Sequence, residues 1–502
     1  MATGNNIRIA KNSLFLYLRM LIVMGVSLFT VRVILNVLGT EDFGIHNVVA
    51  GVVTMLSFLT STMTSATQRF FAYALGLEDE NKVSKYFTTS FWCYVLMAFI
   101  ILFLAETVGL WFVYSYLNIP SSRFTAALWV YQFSIFSFLF SVLSIPYNSL
   151  IVAREKMNIY AYLGLIEVFL KLGLVYLLLI LHLDKLIAYA ALLLLTSISI
   201  CSFYFIYCNS KFKECKIQGF GSKRIFFEIL KYSGWSLFGA VSGIFRSQGI
   251  NILLNIFFNP LVNAARAIAF QVNNAINQFV LNFFKAVQPQ ITKYYASNNL
   301  VELDKLIIRS SRYCTYLILA IALPLLFEMP YVLNLWLVDV PEYAVLFTRL
   351  VVINAIIDSM AYPLQSAISA TGDIKWYQIM TGGLLNLNLP ISLLFLWYGF
   401  PPEVTMYVSI VISIISQVLR ILFTKYQIGM NITIYIKKVL LRIVLVLMFS
   451  LMLIVLFKQF SLGVYPIFSM AIYFVIVCLV TFSVGIPKVE RIKIINLINS
   501  KF

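Results

Sequence analysis

Five cations stand where an apolar chain has least use for them. Arg19, Arg69, Lys171, Arg246 and Lys285 each fall deep inside a long apolar run. A charge at the centre of such a helix costs about 2.5–3.5 kcal/mol on insertion scales. It therefore serves either a partner in the protein or a ligand. The guanidinium fork binds carboxylate or phosphate oxygens two at a time, so the chemistry it suggests is anion binding. Pairing competes with that reading. Glu167 and Lys171 are four residues apart with the acid N-terminal, the order that favours a helical ion pair. The other acids in apolar runs are few: Glu106, Glu328 and Asp358. Pairing every one of them leaves a positive surplus. Glu167 and Asp358 are also the candidates for carboxylates that couple an ion to a transport cycle.

Uncharged polar residues accompany the cations. Ser61–Gln68 reads STMTSATQ, and Gln271–Gln278 reads QVNNAINQ. Amides in hydrocarbon are costly unless they meet partners or water. Gln271, Asn274 and Gln278 recur at helical spacing, as do Asn273 and Asn277. They are either glue between helices or a wet surface suited to sugar hydroxyls. No cofactor or metal is expected. The six cysteines are scattered without ligand spacing, and two lone histidines make no metal site. There is no phosphate-cradling Gly-Lys-Ser/Thr loop and no catalytic Ser/His/Asp arrangement, so an enzyme is not expected.

The elements that position these residues follow from composition. Of 502 residues, 61% are hydrophobic and 11% charged, far from a soluble domain. The expected solvent is lipid, and the expected fold is an all-α polytopic membrane protein. Fourteen transmembrane helices are predicted near 12–38, 47–74, 86–115, 124–152, 159–181, 186–208, 232–257, 263–289, 313–337, 344–370, 375–398, 403–424, 439–457 and 463–485. Alternate connections and both tails hold 25 Lys and Arg, the opposite set only three. The positive-inside rule then puts both termini in the cytoplasm. The net charge of +17 is topology rather than a nucleic-acid surface. Arg154 and Lys156 read as such topology signals. Arg32, Arg266, Arg349 and Arg420 lie near predicted span ends and are expected to snorkel to the interface.

The chain also repeats itself. Pro146, Ser149, Ala153, Tyr160, Leu172 and Leu177 reappear 217 residues later as Pro363, Ser366, Ala370, Tyr377, Leu389 and Leu394. Six spans fit in that offset, so the halves have parallel topology, as in transporters that rock two lobes about a shared site. The expected domains are an N-lobe at 1–222, a C-lobe at 223–437, and an added helix pair with a cytoplasmic tail at 438–502. The surplus cations fall chiefly on spans 1, 2, 7 and 8. A cationic cavity between lobes implies an anionic cargo.

Several stretches resemble a known family. Leu38–Val49 (LGTEDFGIHNVV) is similar to the turn between the first two helices of polysaccharide exporters, where Gly39 can cap one helix end. Ile151–Tyr162 and Tyr294–Cys314 resemble two of that family's cytoplasmic connections. On these residues the chain resembles the Wzx-type lipid-linked oligosaccharide flippases. They belong to the multidrug/oligosaccharidyl-lipid/polysaccharide (MOP) exporter superfamily. The resemblance implies a bacterial inner-membrane protein that moves undecaprenyl-diphosphate-linked oligosaccharide from the inner to the outer leaflet by alternating access. The product pathway would be O-antigen, capsule or exopolysaccharide. It also implies a groove for the polyprenyl tail on spans 13 and 14, and a polysaccharide polymerase and chain-length regulator as partners. Alternatives are an ion-coupled multidrug exporter of the same fold and a membrane polysaccharide polymerase. The scarcity of membrane carboxylates argues against the first, and the short outer loops against the second.

Overall fold

In the computed structural model every described element is helical. The structure describes residues 2–492 apart from 118, 181–182, 218, 220, 259, 338–339, 461–464 and 489, and leaves some further side chains aside. The helices are α1 (Ala2–Thr54), α2 (Ser57–Gly76), α3 (Glu80–Leu104), α4 (Leu110–Tyr116), α5 (Phe124–Ala153), α6 (Met157–Ile180), α7 (Lys185–Lys211), α8 (Lys223–Phe257) and α9 (Pro260–Ala296). There follow α10 (Leu300–Trp336), α11 (Ala344–Ser359), α12 (Ala361–Thr371), α13 (Lys375–Asn386), α14 (Asn388–Trp397), α15 (Val404–Ile428), α16 (Ile432–Tyr435), α17 (Leu441–Phe460) and α18 (Pro466–Val480).

Among the described residues, nine helices are long and apolar enough to cross a membrane, or up to eleven if each bent pair is one span. Fourteen were expected. The long helices α1, α8 and α9 are not among the nine. α9 carries Lys285 and the amide run, and such polar residues lower the hydropathy by which a span is recognised; within α1, Asn12–Ser27 is a shorter apolar helix among the described residues. The chain divides into two compact units, Met1–Leu237 and Phe238–Phe502. Their boundary lies inside α8, and residues 438–502 fall in the second unit.

In the first unit α5 packs on α7, α2 and α3, and α1 packs on α6. The core under one end gathers Val49, Val53, Val130, Tyr131, Ile135 and Leu186, all buried. Gly39 interrupts α1 with φ 77° and ψ 171°, a conformation that side chains resist. The helix–turn–helix expected there therefore forms around the glycine. A π-turn at Ala105–Gly109 widens the end of the third predicted span. The Tyr131 hydroxyl donates to the Ala105 carbonyl at 2.6 Å, supplying a partner inside the bilayer region where water is absent.

In the second unit α9, α10 and α11 pack together, α15 packs on α11, α12, α13 and α14, and α18 packs on α10. Two of its helices are broken at prolines or beside them. Pro330 has no N–H and so frees the carbonyl of Leu326 four residues earlier. Arg349 of α11 donates its Nε to that carbonyl at 3.1 Å. Arg349 was expected to snorkel; its guanidinium instead mends a helix. The pair α11–α12 bends by 42°. Met360 joins the two segments, and Pro363 leaves the Ser359 carbonyl without its helical donor.

Ion pairs fasten the helix ends. Arg123 donates Nε to Asp42 at 2.8 Å and Nη1 to Asp184 at 2.6 Å, joining three connections of the first unit. Burial pushes the Asp184 carboxyl up, but Arg123 and the amides of Ile187 and Leu186 outweigh it and hold the carboxyl below its ordinary range. At the other end Arg154 pairs with Glu80 at 2.8 Å and with the buried Glu214, its guanidinium lying over Phe212. In the second unit Glu490 receives Arg309, Arg312 and the Tyr313 hydroxyl. The Arg32 side chain lies outside the described residues.

Arg154 is therefore more than a topology signal. Its removal strands Glu214, whose side chain is 7% exposed. Losing one partner of a buried pair typically costs about 3 kcal/mol or more, whereas removing both is far milder. Arg154→Gln is expected to lower the unfolding temperature of the purified protein clearly. Arg154→Gln with Glu214→Gln is expected to recover most of the loss. Equal melting of all three proteins would show that the pair fastens nothing.

Candidate functional site

The first unit builds one charged cluster around Arg19. Arg19 lies on α1, which packs along α6. Its guanidinium is laid against the bare backbone of Gly164 and 4.5 Å from the centre of the Tyr160 ring. A Cβ on Gly164 would come within 2.8 Å of Arg19 Cζ, so a side chain there would displace the guanidinium from its seat. The ring face attracts the cation without neutralising it. Arg19 Nε is buried and has no hydrogen-bond partner among the described residues. Glu167 is three residues on from Gly164 and pairs with Lys171 at 2.6 Å, as its order predicts. Tyr204 of α7 lies within electrostatic reach of Tyr160, Glu167 and Arg19 and receives a 3.4 Å hydrogen bond from Asn148. Arg69 has other surroundings. Its guanidinium is 4.8 Å from the Phe70 ring and 5.3 Å from those of Tyr73 and Tyr232.

The second unit builds another cluster, around Arg246. Gly239, Ser242, Arg246 and Gly249 share one face of α8, since seven residues make nearly two turns. The small members of that face meet α13 and α14: Gly239 lies against Gln378, Ser242 against Gly382 and Asn386, and Gly249 against Leu389. Small residues let backbones approach closely in a membrane. Arg246 is thereby directed into the unit, where Asp358 of α11 and Arg420 of α15 are within electrostatic reach. Asn354 donates to Asp358 at 2.8 Å. Arg420 donates Nε to the Tyr377 hydroxyl at 3.4 Å. Arg266 of α9 donates to Asn251 of α8 and lies over the Phe270 ring, again within reach of Arg246. The described cluster therefore holds three arginines and one carboxylate. Arg266 Nε, Arg420 Nη1 and Asn354 Oδ1 are buried without partners among the described residues.

Arg266 and Arg420 were expected to snorkel, and the structure corrects this. Arg266 is only 5% exposed. Each lies near the end of its own helix, but its partner comes from another helix. The signal that could have found Arg420 is the repeat. Tyr160 and Tyr377 are equivalent positions, and each receives an arginine.

The amides of α9 divide between the two roles left open. Asn277 donates to Asn273 and receives the Tyr362 hydroxyl at 3.3 Å, so this pair joins helices. Gln271, Asn274 and Gln278 form an exposed stripe, and Lys285 continues it, half-buried, seven residues on. A stripe of exposed amides is stable against water rather than lipid. Among the described residues no group of His, Cys, Asp and Glu could hold a metal ion.

The fold is shared with solved transporters. A multidrug and toxin extruder (MATE) solved in complex with MaD3S superposes with a TM-score of 0.70 at 14% identity, over 84% of this chain and 96% of that one. An outward-facing multidrug resistance MATE family transporter of the MOP superfamily gives 0.70 at 13%, with the same shares covered. A MOP superfamily transporter from Pyrococcus furiosus, described as having a binding pocket of reverse polarity that suggests a different function, gives 0.70 at 12%, again over 84% and 96%. At these identities the likeness establishes the fold, which is that of the MATE transporters of the MOP superfamily. No protein family and no curated protein matches the sequence.

The seat of Arg19 can be tested without any ligand. Alanine in place of a mid-helix glycine ordinarily gains about 0.5–1 kcal/mol. At Gly164 the gain should shrink or vanish while Arg19 is present, because its guanidinium must shift, and return in full in an Arg19→Ala background. Gly173 has nothing within 4 Å of its missing Cβ, so Gly173→Ala should behave alike in both backgrounds. Thermal unfolding in detergent reads the cycle, with a coupling of about 1 kcal/mol or more expected for groups in contact. Additive effects at Gly164 would place Arg19 elsewhere.

Proposed function

We propose that this chain is a transporter that flips lipid-linked oligosaccharide diphosphates across the bacterial cytoplasmic membrane, serving surface polysaccharide synthesis. The observation that carries the reading is the sign of the buried charge. Arg19 is held by a ring and a glycine rather than by a carboxylate. In the second unit Arg246 has Arg266, Arg420 and Asp358 within electrostatic reach, so arginines outnumber the carboxylate. A diphosphate cannot enter hydrocarbon alone, so its carrier must offer fixed positive groups along the path. Arg19 and Arg246 are the first receivers of that group, with Lys171, Lys285 and Arg69 adding to the positive potential. The amide stripe of Gln271, Asn274 and Gln278 suits the sugar hydroxyls. The two units would expose these faces alternately to the two sides of the membrane. Bilayer lipid is the medium, and a polysaccharide polymerase and chain-length regulator are the expected neighbours.

The solved neighbours favour a second reading, a multidrug exporter, since the fold is theirs. Fold alone does not choose the cargo. A cationic drug calls for carboxylates at the site, and here arginines outnumber them. The Pyrococcus furiosus transporter illustrates that pocket polarity varies on this fold.

Arg19→Ala and Arg246→Ala are each expected to abolish surface glycan in a strain lacking its own flippase, with the protein still inserted at normal level. Lys at either position is expected to restore part of it, since it keeps the charge and loses the fork. Full-length glycan from both Ala variants at normal protein level would refute the cationic path.

A further inference from the structure

The connection from α7 into α8 carries a positive surface that neither the proposed path nor the packing of the first unit uses. Residues 211–231 hold six Lys and Arg and two Glu. Both acids are engaged within the protein. Glu214 is buried against Arg154, and Glu228 pairs along its own helix with Arg224 at 3.1 Å. The cations face outward: Lys211, Lys213, Lys216, Lys223, Arg224 and Lys231 are all exposed. Apolar side chains stand among them. Ile217, Phe227 and Leu230 are 39%, 67% and 41% exposed. Lys223, Phe227, Leu230 and Lys231 recur at the spacing of one helix face. The other side of this first stretch of α8 is inside the unit. Ile229 and Tyr232 are buried, and the Tyr232 ring is 5.9 Å from that of Phe70.

The stretch is also held in place. Trp92 of α3 donates its Nε1 to the Gly219 carbonyl at 2.9 Å, and the Ser222 amide donates to Thr89 Oγ1 at 3.1 Å. Gly221, at φ 81°, lies so close to Thr89 that a Cβ would come within 2.6 Å of the hydroxyl oxygen. A topology signal needs charge on one side of the membrane and nothing more. It does not need hydrogen bonds that fix the backbone between the cations, nor a Phe left in the open beside them. Charge alone would suit an acidic protein as well as a lipid. The exposed apolar side chains decide for lipid, because α7, which ends at Lys211, is long and apolar enough to cross a membrane. At such a boundary basic side chains reach headgroup phosphates while Phe and Leu enter the edge of the acyl region.

We propose that residues 211–231 form a docking surface for anionic glycerophospholipid. The exposed cations meet the headgroup phosphates, and Ile217, Phe227 and Leu230 rest against the first carbons of the acyl chains. The inference does not depend on which cargo is moved. Trp92 is a positioning residue: it holds the backbone between Lys216 and Lys223 so that the cations are presented together. α8 begins in the first unit and runs on into the second. Anionic lipid therefore grips the first turns of the helix that joins the two units.

The test uses the full-length protein in phosphatidylcholine nanodiscs. The probes are phosphatidylglycerol and phosphatidylcholine, each with the same photoreactive acyl chain, and the crosslinks are mapped by mass spectrometry. In wild type phosphatidylglycerol is expected to label 211–231 about fivefold or more above phosphatidylcholine, the scale of one basic residue's attraction to an anionic surface. Lys216→Gln, Lys223→Gln and Lys231→Gln together should bring the two lipids level there. Lys→Arg at the same three positions, which keeps the charge, should keep the preference. Trp92→Phe should lower it by less than the triple Gln change. Lys425→Gln, Lys437→Gln and Lys438→Gln, in the second unit, should leave it unchanged. If the triple Gln protein does not insert, Lys223→Glu alone should reduce the preference. Equal labelling by the two lipids in wild type would overturn the inference, as would a preference that survives the triple Gln change or Lys223→Glu. Loss of the crosslinks to inorganic phosphate at constant ionic strength would also overturn it, by marking the surface as a site for free anions.

Discussion

A guanidinium taken out of water must be answered by an anion, a ring face or a carbonyl, and this fold is largely arranged around that demand. Arg349 answers the carbonyl that Pro330 frees. Arg312, 3% exposed, is answered by Glu490, and Arg154 by Glu80 and Glu214. These arginines hold helices to one another and to the chain's last described turn. Arg19, Arg246, Arg266 and Arg420 are answered less completely. They receive rings, an amide and a phenol, with one carboxylate within electrostatic reach of Arg246. The contrast separates arginines that complete the structure from arginines that leave positive charge over. Charge left over in a nonaqueous interior is a functional signal because it is costly to keep.

Much of this was legible in the sequence. Apolar runs gave the helices, Gly39 marked the turn between the first two spans, and the Glu167–Lys171 order gave the pair. The deep positions of Arg19 and Arg246 were visible by counting residues inward from the ends of apolar runs. Other features were not legible, because they depend on which helices become neighbours. Arg266 and Arg420 look like interfacial residues when each is measured along its own helix. They become part of a cluster only once Asn251 and Tyr377 are brought beside them. Arg349 looked the same, and its role appears only with the Leu326 carbonyl. Gly164 looked ordinary until an arginine from α1 was found in the space of its missing side chain. The break after Asp358 follows from Pro363, yet Pro146, its equivalent in the repeat, leaves α5 continuous. Proline alone does not decide a break; the packing around it does.

A fold can be common to carriers of opposite cargo because the scaffold is set by apolar packing and the cargo by a few polar groups. In this chain the small residues of α8 and the apolar faces of α9 to α15 are scaffold. The charges standing among them are what distinguish it. A single substitution among those charges changes the sign of a site, whereas the helices around it can drift in sequence while their packing is kept. That is consistent with a superposition at 0.70 and 12–14% identity.

The central claim is that the path is built for an anion. It is tested most directly with the purified protein in liposomes containing a fluorescent undecaprenyl-diphosphate oligosaccharide, its leaflet read by a membrane-impermeant quencher. A cationic dye is followed in parallel vesicles. The account predicts that the lipid-linked diphosphate changes leaflet in a protein-dependent way, that pyrophosphate slows it, and that the dye does not cross. Protein-dependent movement of the dye, with the diphosphate lipid left in its leaflet, would contradict it.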